Sequence, residues 1–157
     1  MDEGPARELV HALKYSGWRV AALSMAEVMA RALGSRLSEV DCLVPVPLGR
    51  RRERRRGHNQ AGVLADALGS AAGVRVEIGA LRRGRETRSQ TTLGPAGRWR
   101  NVAGAFAATA DLSGTRVALV DDVLTTGATL AACATALAAG GAEAVGATTF
   151  ARASIPS

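Results

Sequence analysis

The segment Val117–Thr129 constrains this chain more than any other part of its sequence. An apolar run up to Val120 predicts a strand that is buried on both faces and ends at Asp121 and Asp122. A turn rich in hydroxyl groups follows, and apolar residues at helical spacing from Leu130 onward predict a helix after it. In a parallel sheet, ligands bind at the carboxyl ends of the strands. The segment therefore predicts a ligand site at this strand end.

The chemistry of this site fits a ribose 5-phosphate. The start of a helix offers unpaired N–H groups and a positive dipole end to a phosphate, and glycine lets the backbone approach an anion closely. Neighbouring carboxylates can each accept a hydrogen bond from one hydroxyl of a sugar diol, and they can also hold Mg²⁺ directly or through water. A plain helix cap after an ordinary turn is the structural alternative. The expected ligand-binding residues are Asp121, Asp122, Thr125, Thr126, Gly127, Ala128 and Thr129, with Asp121 and Asp122 for Mg²⁺.

The rest of the chain predicts a single α/β domain with a mostly parallel, twisted sheet flanked by helices on both faces. Residues 1–38 form a helical N-terminal part, and residues 39–157 form the core. Expected helices centre on 6–13, 25–32, 61–68 (closed by Gly69) and 130–137. Expected strands are 42–46, 74–81, a short one from Phe106, 116–120 and 144–150. Residues 82–100 are expected to form a long loop, with a short helical turn near 98–102.

Arginine is concentrated in two segments, Gly49–Gly57 and Arg82–Arg100, which hold twelve of the twenty basic residues and two of the fourteen acids. The remainder of the chain is mildly acidic. Such a distribution suits a polyanion, either a pyrophosphorylated sugar or a nucleic acid. The first segment is expected to be a loop, and a solvated basic loop without a ligand is the alternative to a binding role.

Several classes of protein are not expected. No apolar run reaches the roughly 18 residues of a membrane span, and the N-terminal residues lack the pattern of a secretory signal. The two cysteines, Cys42 and Cys133, match no zinc spacing and are expected to be small buried hydrophobes. The sequence thus predicts a cytoplasmic protein with no membrane partner.

The segment Val117–Thr129 closely resembles the signature by which type I phosphoribosyltransferases bind phosphoribosyl pyrophosphate (PRPP). Three further strings resemble ComF-type proteins, the phosphoribosyltransferase-like family associated with DNA uptake in competent bacteria. These strings are Arg56–Gln60, Leu81–Arg83 with Thr87, Gln90 and Leu93, and Arg100–Phe106. Such proteins often carry a Cys-rich zinc ribbon before the transferase-like part, and this sequence shows none.

The resemblance implies a type I phosphoribosyltransferase-like fold with a small N-terminal helical hood that recognises the acceptor. It also implies a pyrophosphate loop after the first strand, at Leu48, Gly49 and Arg50, with a neighbouring arginine as the alternative to Arg50. Residues 82–100 match the loop that closes over the substrate in active relatives, with Arg88 and Gln90 as catalytic candidates. His58 is expected to pack or to form a hydrogen bond rather than to act as a base.

Two functions are compatible with these features. The first is an enzyme that binds PRPP with Mg²⁺ and transfers ribose 5-phosphate to an unidentified nitrogenous base, releasing pyrophosphate. The second is a non-catalytic accessory protein of DNA uptake that senses PRPP or a nucleotide, or that binds single-stranded DNA or a DNA-uptake helicase. The lack of aromatic residues among the arginines argues against a platform for stacking bases. A scaffold without a ligand is disfavoured because the phosphate-binding positions are intact, and a homodimer is a further expectation.

Overall fold

The computed structural model describes residues 4–15, 18–84 and 95–153. The helices are α1 (Pro5–Tyr15), α2 (Trp18–Leu33), α3 (Arg50–Arg56), α4 (Gln60–Ala72), α5 (Pro95–Val102) and α6 (Ala128–Ala139). The strands are β1 (Cys42–Pro45), β2 (Arg75–Val76), β3 (Leu81–Arg83), β4 (Phe106–Ala108), β5 (Arg116–Leu124) and β6 (Ala144–Arg152). A 3-10 helix, Gly34–Glu39, joins α2 to β1. Within these residues, no helix combines the length and the apolar character needed to cross a bilayer.

The main sheet contains four parallel strands in the order β2-β1-β5-β6. In the central pair of strands, β1 and β5, Cys42 lies opposite Val117 and Pro45 lies opposite Val120. Because β1 and β5 are neighbours and run in the same direction, their carboxyl ends open at one edge of the sheet. The predicted α/β fold with a parallel sheet is confirmed.

Helices cover both faces of this sheet, as predicted. Helix α6 packs on one face through Cys133 and Leu137, which are fully buried. Helices α1, α2 and α4 form the other layer through Leu13, Met25 and Leu64. The N-terminal helices therefore share a hydrophobic core with the sheet, and the end of α1 is held above its carboxyl edge.

The prediction that the strand ends at the two aspartates was wrong, because β5 continues to Leu124. Its last residues still pair with β6: Val123 lies opposite Ala151, and Leu124 lies opposite Arg152. Both aspartates are therefore strand residues, and successive side chains on a strand point to opposite faces.

The strand predicted over residues 74–81 is two short strands in different sheets. Strand β2 ends at Val76, and a turn containing Gly79 separates it from β3. Strand β3 then pairs antiparallel with β4, with Leu81 opposite Ala108. The start of a strand at Phe106 is confirmed, but its membership of a separate two-stranded sheet was not predicted.

The first arginine-rich segment is a helix rather than a loop. Helix α3 begins after Gly49 and ends at Gly57, whose φ of +82° closes it in the left-handed conformation. Arginine has a high helix propensity, so six arginines in seven residues are compatible with this helix. In the second segment, β3 replaces the start of the predicted loop, and α5 contains the helical turn predicted near 98–102 but begins earlier, at Pro95. Residues 85–94, which include Arg88 and Gln90, lie outside the described residues.

Helix α4 continues past Gly69, where it was predicted to end, and is closed by Gly73 at a φ of +68°. Gly69 has a packing role instead. A Cβ at this position would lie 2.5 Å from Val76 Cγ2 and 2.6 Å from the carbonyl oxygen of Val74. The missing side chain lets the chain return alongside the helix and enter β2.

Candidate functional site

A cavity of about 220 Å³ opens at the carboxyl ends of β1 and β5. Five of the seven residues predicted to bind the sugar phosphate line it, namely Asp121, Asp122, Thr125, Gly127 and Thr129. Thr126 and Ala128 do not line it. The other lining residues are Lys14, Val46, Pro47, Leu48, Arg52, Gln60, Arg83, Val123, Leu124 and Leu130. The cavity thus joins the predicted segment to three other parts of the chain.

The N-terminus of α6 forms one wall of this cavity and is open to an anion. Gly127 precedes the helix at a φ of +78°, and no side chain caps the helix there. The bond from Ala131 N–H to Gly127 O (2.9 Å) is the first of the helix, so the preceding N–H groups have no partner within the helix. Next to them, Thr126 Oγ1 is buried and has no hydrogen-bond partner among the described residues. The N–H groups at the helix start and the hydroxyls of Thr125 and Thr129, which line the cavity, therefore concentrate donors at this end.

The two aspartates face opposite sides of β5 and still reach the same cavity. Asp121 Oδ1 accepts a hydrogen bond from the backbone N–H of Asp122 (2.9 Å). Burial, and then the charge of Asp122, raise the pKa of the Asp121 carboxyl well above its usual value. Burial, and then the charge of Asp121, also raise the pKa of the nearby Cys133 thiol on α6. The acid pair therefore attracts positive charge.

Lys14, near the end of α1, supplies positive charge to this pair. Its Nζ lies 2.5 Å from Asp122 Oδ2, and no other donor in the described part of the chain bonds that oxygen. Asp122 is only 4% exposed. Lys14 is the only lysine among twenty basic residues. The Lys14 ammonium is thus the counter-charge of Asp122.

The donor set fits Mg²⁺ that is shared with a ligand. Magnesium usually binds one or two carboxylates together with water and substrate phosphates. Asp121 and Asp122 offer those carboxylates within the cavity. The described residues contain no cluster of three His, Cys, Asp or Glu side chains that would form an all-protein site.

The turn after β1 forms the opposite wall, and a neighbour of Arg50 supplies the arginine that lines it. Leu48 lines the cavity, whereas Gly49 and Arg50 do not. Arg50 is the first residue of α3, and its side chain is exposed. Arg52 lies two residues further along the helix and lines the cavity.

The string Gly57–Gln60 holds this wall in place. Asn59 Nδ2 donates to the carbonyl of Val46 (3.1 Å), and its Oδ1 accepts from Ala61 N–H (3.2 Å), which caps α4. His58 Nε2 lies 2.9 Å from the carbonyl oxygen of Leu13, and its ring stacks on Trp18 with centroids 5.0 Å apart. His58 thus packs and bonds as expected, and it connects the arginine helix to α1.

Comparison with known proteins agrees with this architecture. A family model described as the phosphoribosyl transferase domain matches residues 20–155. The chain belongs to this phosphoribosyltransferase family.

Similar proteins indicate which phosphoribosyltransferase-like proteins this chain resembles in sequence. The chain is 35% identical over 146 residues to DNA utilization protein YhgH of Escherichia coli (strain K12), covering 90% of this chain and 64% of that protein. It is 37% identical over 93 residues to Competence protein F of Haemophilus influenzae, covering 57% of this chain and 41% of that protein. The resemblance to ComF-type proteins is confirmed. The chain spans less than two thirds of the length of either relative.

Solved phosphoribosyltransferase-fold structures give the same fold. The glutamine PRPP amidotransferase from B. subtilis, complexed with ADP and GMP, matches with a TM-score of 0.58 at 24% identity, over 84% of this chain and 26% of that one. The purine phosphoribosyltransferase from Pyrococcus horikoshii Ot3 matches with a TM-score of 0.51 at 19% identity, over 88% and 78% of the two chains. At these identities the matches show the fold alone.

The candidate site includes cationic residues that were not among the predicted site residues. Lys14, Arg52 and Arg83 each line the cavity from a different element. Arg83 is half-buried, and its guanidinium lies 5.2 Å from the centre of the Phe106 ring. The sequence contained two signals for these residues, the isolated lysine and the string Leu81–Arg83. It could not show which arginines of a run face inward.

Proposed function

We propose that this protein binds PRPP together with Mg²⁺ and transfers ribose 5-phosphate to a nitrogenous acceptor, releasing pyrophosphate. The observation that carries the proposal is one cavity that joins two neighbouring carboxylates, Asp121 and the buried Asp122, to an uncapped helix N-terminus. Carboxylates beside a phosphate site are unfavourable unless hydroxyl groups or a cation lie between them. A ribose 5-phosphate supplies both the diol and the phosphate.

In this proposal, the 5-phosphate binds the N–H groups at the start of α6, with the hydroxyls of Thr125 and Thr129 as further donors. The ribose hydroxyls donate to Asp121 and Asp122.

The pyrophosphate then faces the turn at Leu48 and the guanidinium groups of Arg52 and Arg83. Guanidinium groups bind phosphate oxygens through paired, charge-assisted hydrogen bonds. Bound Mg²⁺ would supply further charge neutralisation to the phosphate oxygens. Lys14 must leave Asp122, or share it, when the ligand arrives.

The transfer breaks the bond between C1 of ribose and the pyrophosphate oxygen, and the electron pair leaves with pyrophosphate. The acceptor nitrogen forms the new bond to C1 with its lone pair and then loses its proton. This chemistry demands positioning and stabilisation of the departing charge, and we assign that role to Arg52 and Arg83, which line the cavity. Arg88 and Gln90, outside the described residues, belong to this proposal as groups of a covering loop.

Calorimetry with Mg²⁺ and PRPP tests the binding step. We expect saturable binding by the wild-type protein and no measurable binding by Asp122→Asn. Asp66→Asn is the matched control, because Asp66 is an exposed residue of α4 that does not line the cavity. Equal affinities for PRPP in all three proteins would refute the proposed site.

Release of pyrophosphate with a panel of nitrogenous bases tests the transfer step. Binding without release would support the alternative, a non-catalytic accessory protein that senses PRPP or a nucleotide. That alternative is favoured by the names of the relatives, which concern DNA utilization and competence. Single-stranded DNA and a DNA-uptake helicase are its candidate partners. DNA affinity of this kind should fall steeply as the salt concentration rises.

A further inference from the structure

A second, strongly basic groove of about 660 Å³ adjoins the candidate PRPP cavity. We call it the α3 groove; its polar and aromatic lining includes Lys14, Tyr15, Arg51, Arg52, Arg55 and Arg56. Lys14 and Arg52 also line the first cavity. Ligands bound in the two spaces would therefore be neighbours.

The arginines of the groove come from one face of α3. Positions 51 and 55, and positions 52 and 56, are each four residues apart and so lie above one another on the helix. Like charges at this spacing destabilise a helix by a few tenths of a kcal/mol per pair. The single acid of α3, Glu53, does not line the groove. An anionic ligand would relieve this repulsion.

One arginine of the groove is held in a fixed orientation. Arg56 Nη1 donates to Gln60 Oε1 (2.5 Å), and its guanidinium carbon lies 5.4 Å from the centre of the Tyr15 ring. The Tyr15 side chain is 62% exposed and gives the groove an aromatic wall. The groove thus combines a positioned cation with an aromatic surface.

The charge of the groove exceeds what the proposed transfer uses. Arg52 and Arg83 already face the pyrophosphate in the first cavity, whereas Arg51, Arg55 and Arg56 line only the groove. The lining of the groove contains five cationic side chains and no acidic one, and a neutral nitrogenous base would bring no anion to it. A phosphate group on the acceptor would match them, because guanidinium binds phosphate oxygens with good geometry.

We infer that the α3 groove is the acceptor site and that the acceptor carries its own phosphate, as a nucleoside monophosphate does. The inference rests on the proposed function, because it assigns the partner of the same reaction. A volume of about 660 Å³ lies within the range of small-molecule pockets. The acceptor phosphate contacts Arg51 and Arg55, and its nucleobase lies towards Tyr15 and the first cavity.

Calorimetry on protein saturated with Mg²⁺ and PRPP tests this inference, because the sugar-phosphate cradle is then occupied. The probes are adenosine and uridine 5′-monophosphates, with unphosphorylated adenosine and uridine as comparison ligands. We expect the monophosphates to bind at least tenfold more tightly than the nucleosides. Arg55→Gln should weaken monophosphate binding about tenfold and leave PRPP affinity within twofold.

Arg54→Gln is the matched control, because Arg54 is an exposed neighbour on the same helix that does not line the groove. It removes the same charge and should change monophosphate affinity less than twofold. Equal losses in the two variants, or equal affinities for phosphorylated and unphosphorylated ligands, would overturn the inference. A third result would also overturn the inference. In it, a single-stranded oligonucleotide of ten nucleotides binds tightly, both variants weaken that binding equally, and the monophosphates do not bind.

The same titrations, repeated without PRPP, separate this inference from the proposed function. Absence of PRPP binding in the wild-type protein would refute the transfer. Monophosphate binding that still depends on Arg55 and not on Arg54 would then support the groove as a nucleotide site. PRPP binding without any monophosphate binding would refute the groove and leave the proposed function standing.

Discussion

Replacing Lys14 with methionine should destabilise the ligand-free protein and increase its response to Mg²⁺. Lys14 Nζ and Asp122 Oδ2 are 2.5 Å apart, and their side chains are 25% and 6% exposed. Two unit charges at this distance attract by about 6–7 kcal/mol at an effective dielectric constant of about 20, and desolvation of the pair offsets most of that energy. Methionine keeps the length and the apolar stem of the side chain but leaves Asp122 buried without a counter-charge.

The net cost follows from the burial of the two partners. Removing one partner of a fully buried pair costs about 3–5 kcal/mol. Water can reach the partly exposed Lys14 position and replace part of the lost interaction, so we expect about 2 kcal/mol. For a chain of this size, that corresponds to a decrease in Tm of about 4–8 °C. Mg²⁺ should then raise the Tm of Lys14→Met more than that of the wild type, because the acid pair no longer holds an ammonium.

Thermal unfolding with and without Mg²⁺ measures both effects, and Arg31→Met is the matched control. Arg31 pairs with Glu27 at 3.7 Å on the exposed surface of α2, with side chains 76% and 71% exposed. Such pairs contribute at most about 0.5 kcal/mol. The reasoning fails if the two variants melt within 1 °C of each other, or if Mg²⁺ shifts the Tm of Lys14→Met no more than that of the wild type.

Three further predictions concern the same fold and site. Asp121→Asn should raise the Tm of the ligand-free protein at neutral pH and abolish PRPP binding in calorimetry. The pKa of Asp121 is raised in the folded state, so its ionisation destabilises the wild-type protein as the pH rises through that pKa. The Asp121→Asn variant should lose this pH dependence. An unchanged pH profile of Tm would contradict the raised pKa of Asp121. Gly69→Ala should lower the free energy of unfolding in urea by about 2 kcal/mol or more, because its Cβ would lie 2.5 Å from Val76 Cγ2; a cost below about 0.5 kcal/mol would show that the contact relaxes. Gly127→Ala and Gly104→Ala, at φ of +78° and +63°, should each lower the free energy of unfolding by about 1–2 kcal/mol. Only Gly127→Ala should weaken PRPP binding. Equal affinities of the two variants for PRPP in calorimetry would contradict the assigned phosphate site.

The sequence predicted the parts of the fold that depend on local periodicity and composition. The helices around Leu13, Met25 and Leu137 and the buried strand before Asp121 were confirmed, because each has an apolar face or core that needs burial. The end of β5 was not predictable in this way. Val123 and Leu124 join the strand because β6 extends beside them, and this pairing is not encoded in the segment itself.

Glycine was also an ambiguous signal. Gly69 was expected to end a helix, but it remains inside α4 because β2 passes too close for a side chain. Gly57 does end a helix, and that helix, α3, was expected to be a loop because its residues are nearly all charged. A short helix with no apolar residues carries no amphipathic periodicity, so only the flanking glycines and the helix propensity of arginine indicated it.

The sequence predicted the residues of the candidate site that belong to one continuous segment, but only some of those from other parts of the chain. Residues from Asp121 to Thr129 share a strand end and a helix start, so their proximity follows from the chain itself. Lys14 and Arg83 reach the cavity because α1 packs over the sheet edge and because β3 forms a second sheet. Neither arrangement has a signature in the neighbouring residues.

A crystal structure of the protein with Mg²⁺ and PRPP bound is the most direct test of the central claim. We expect the 5-phosphate within about 3 Å of the N–H groups that begin α6, and the ribose hydroxyls within hydrogen-bond distance of both Asp121 and Asp122. Lys14 Nζ should have moved away from its position 2.5 Å from Asp122 Oδ2. A phosphate bound elsewhere, with the Lys14–Asp122 pair intact, would contradict the account.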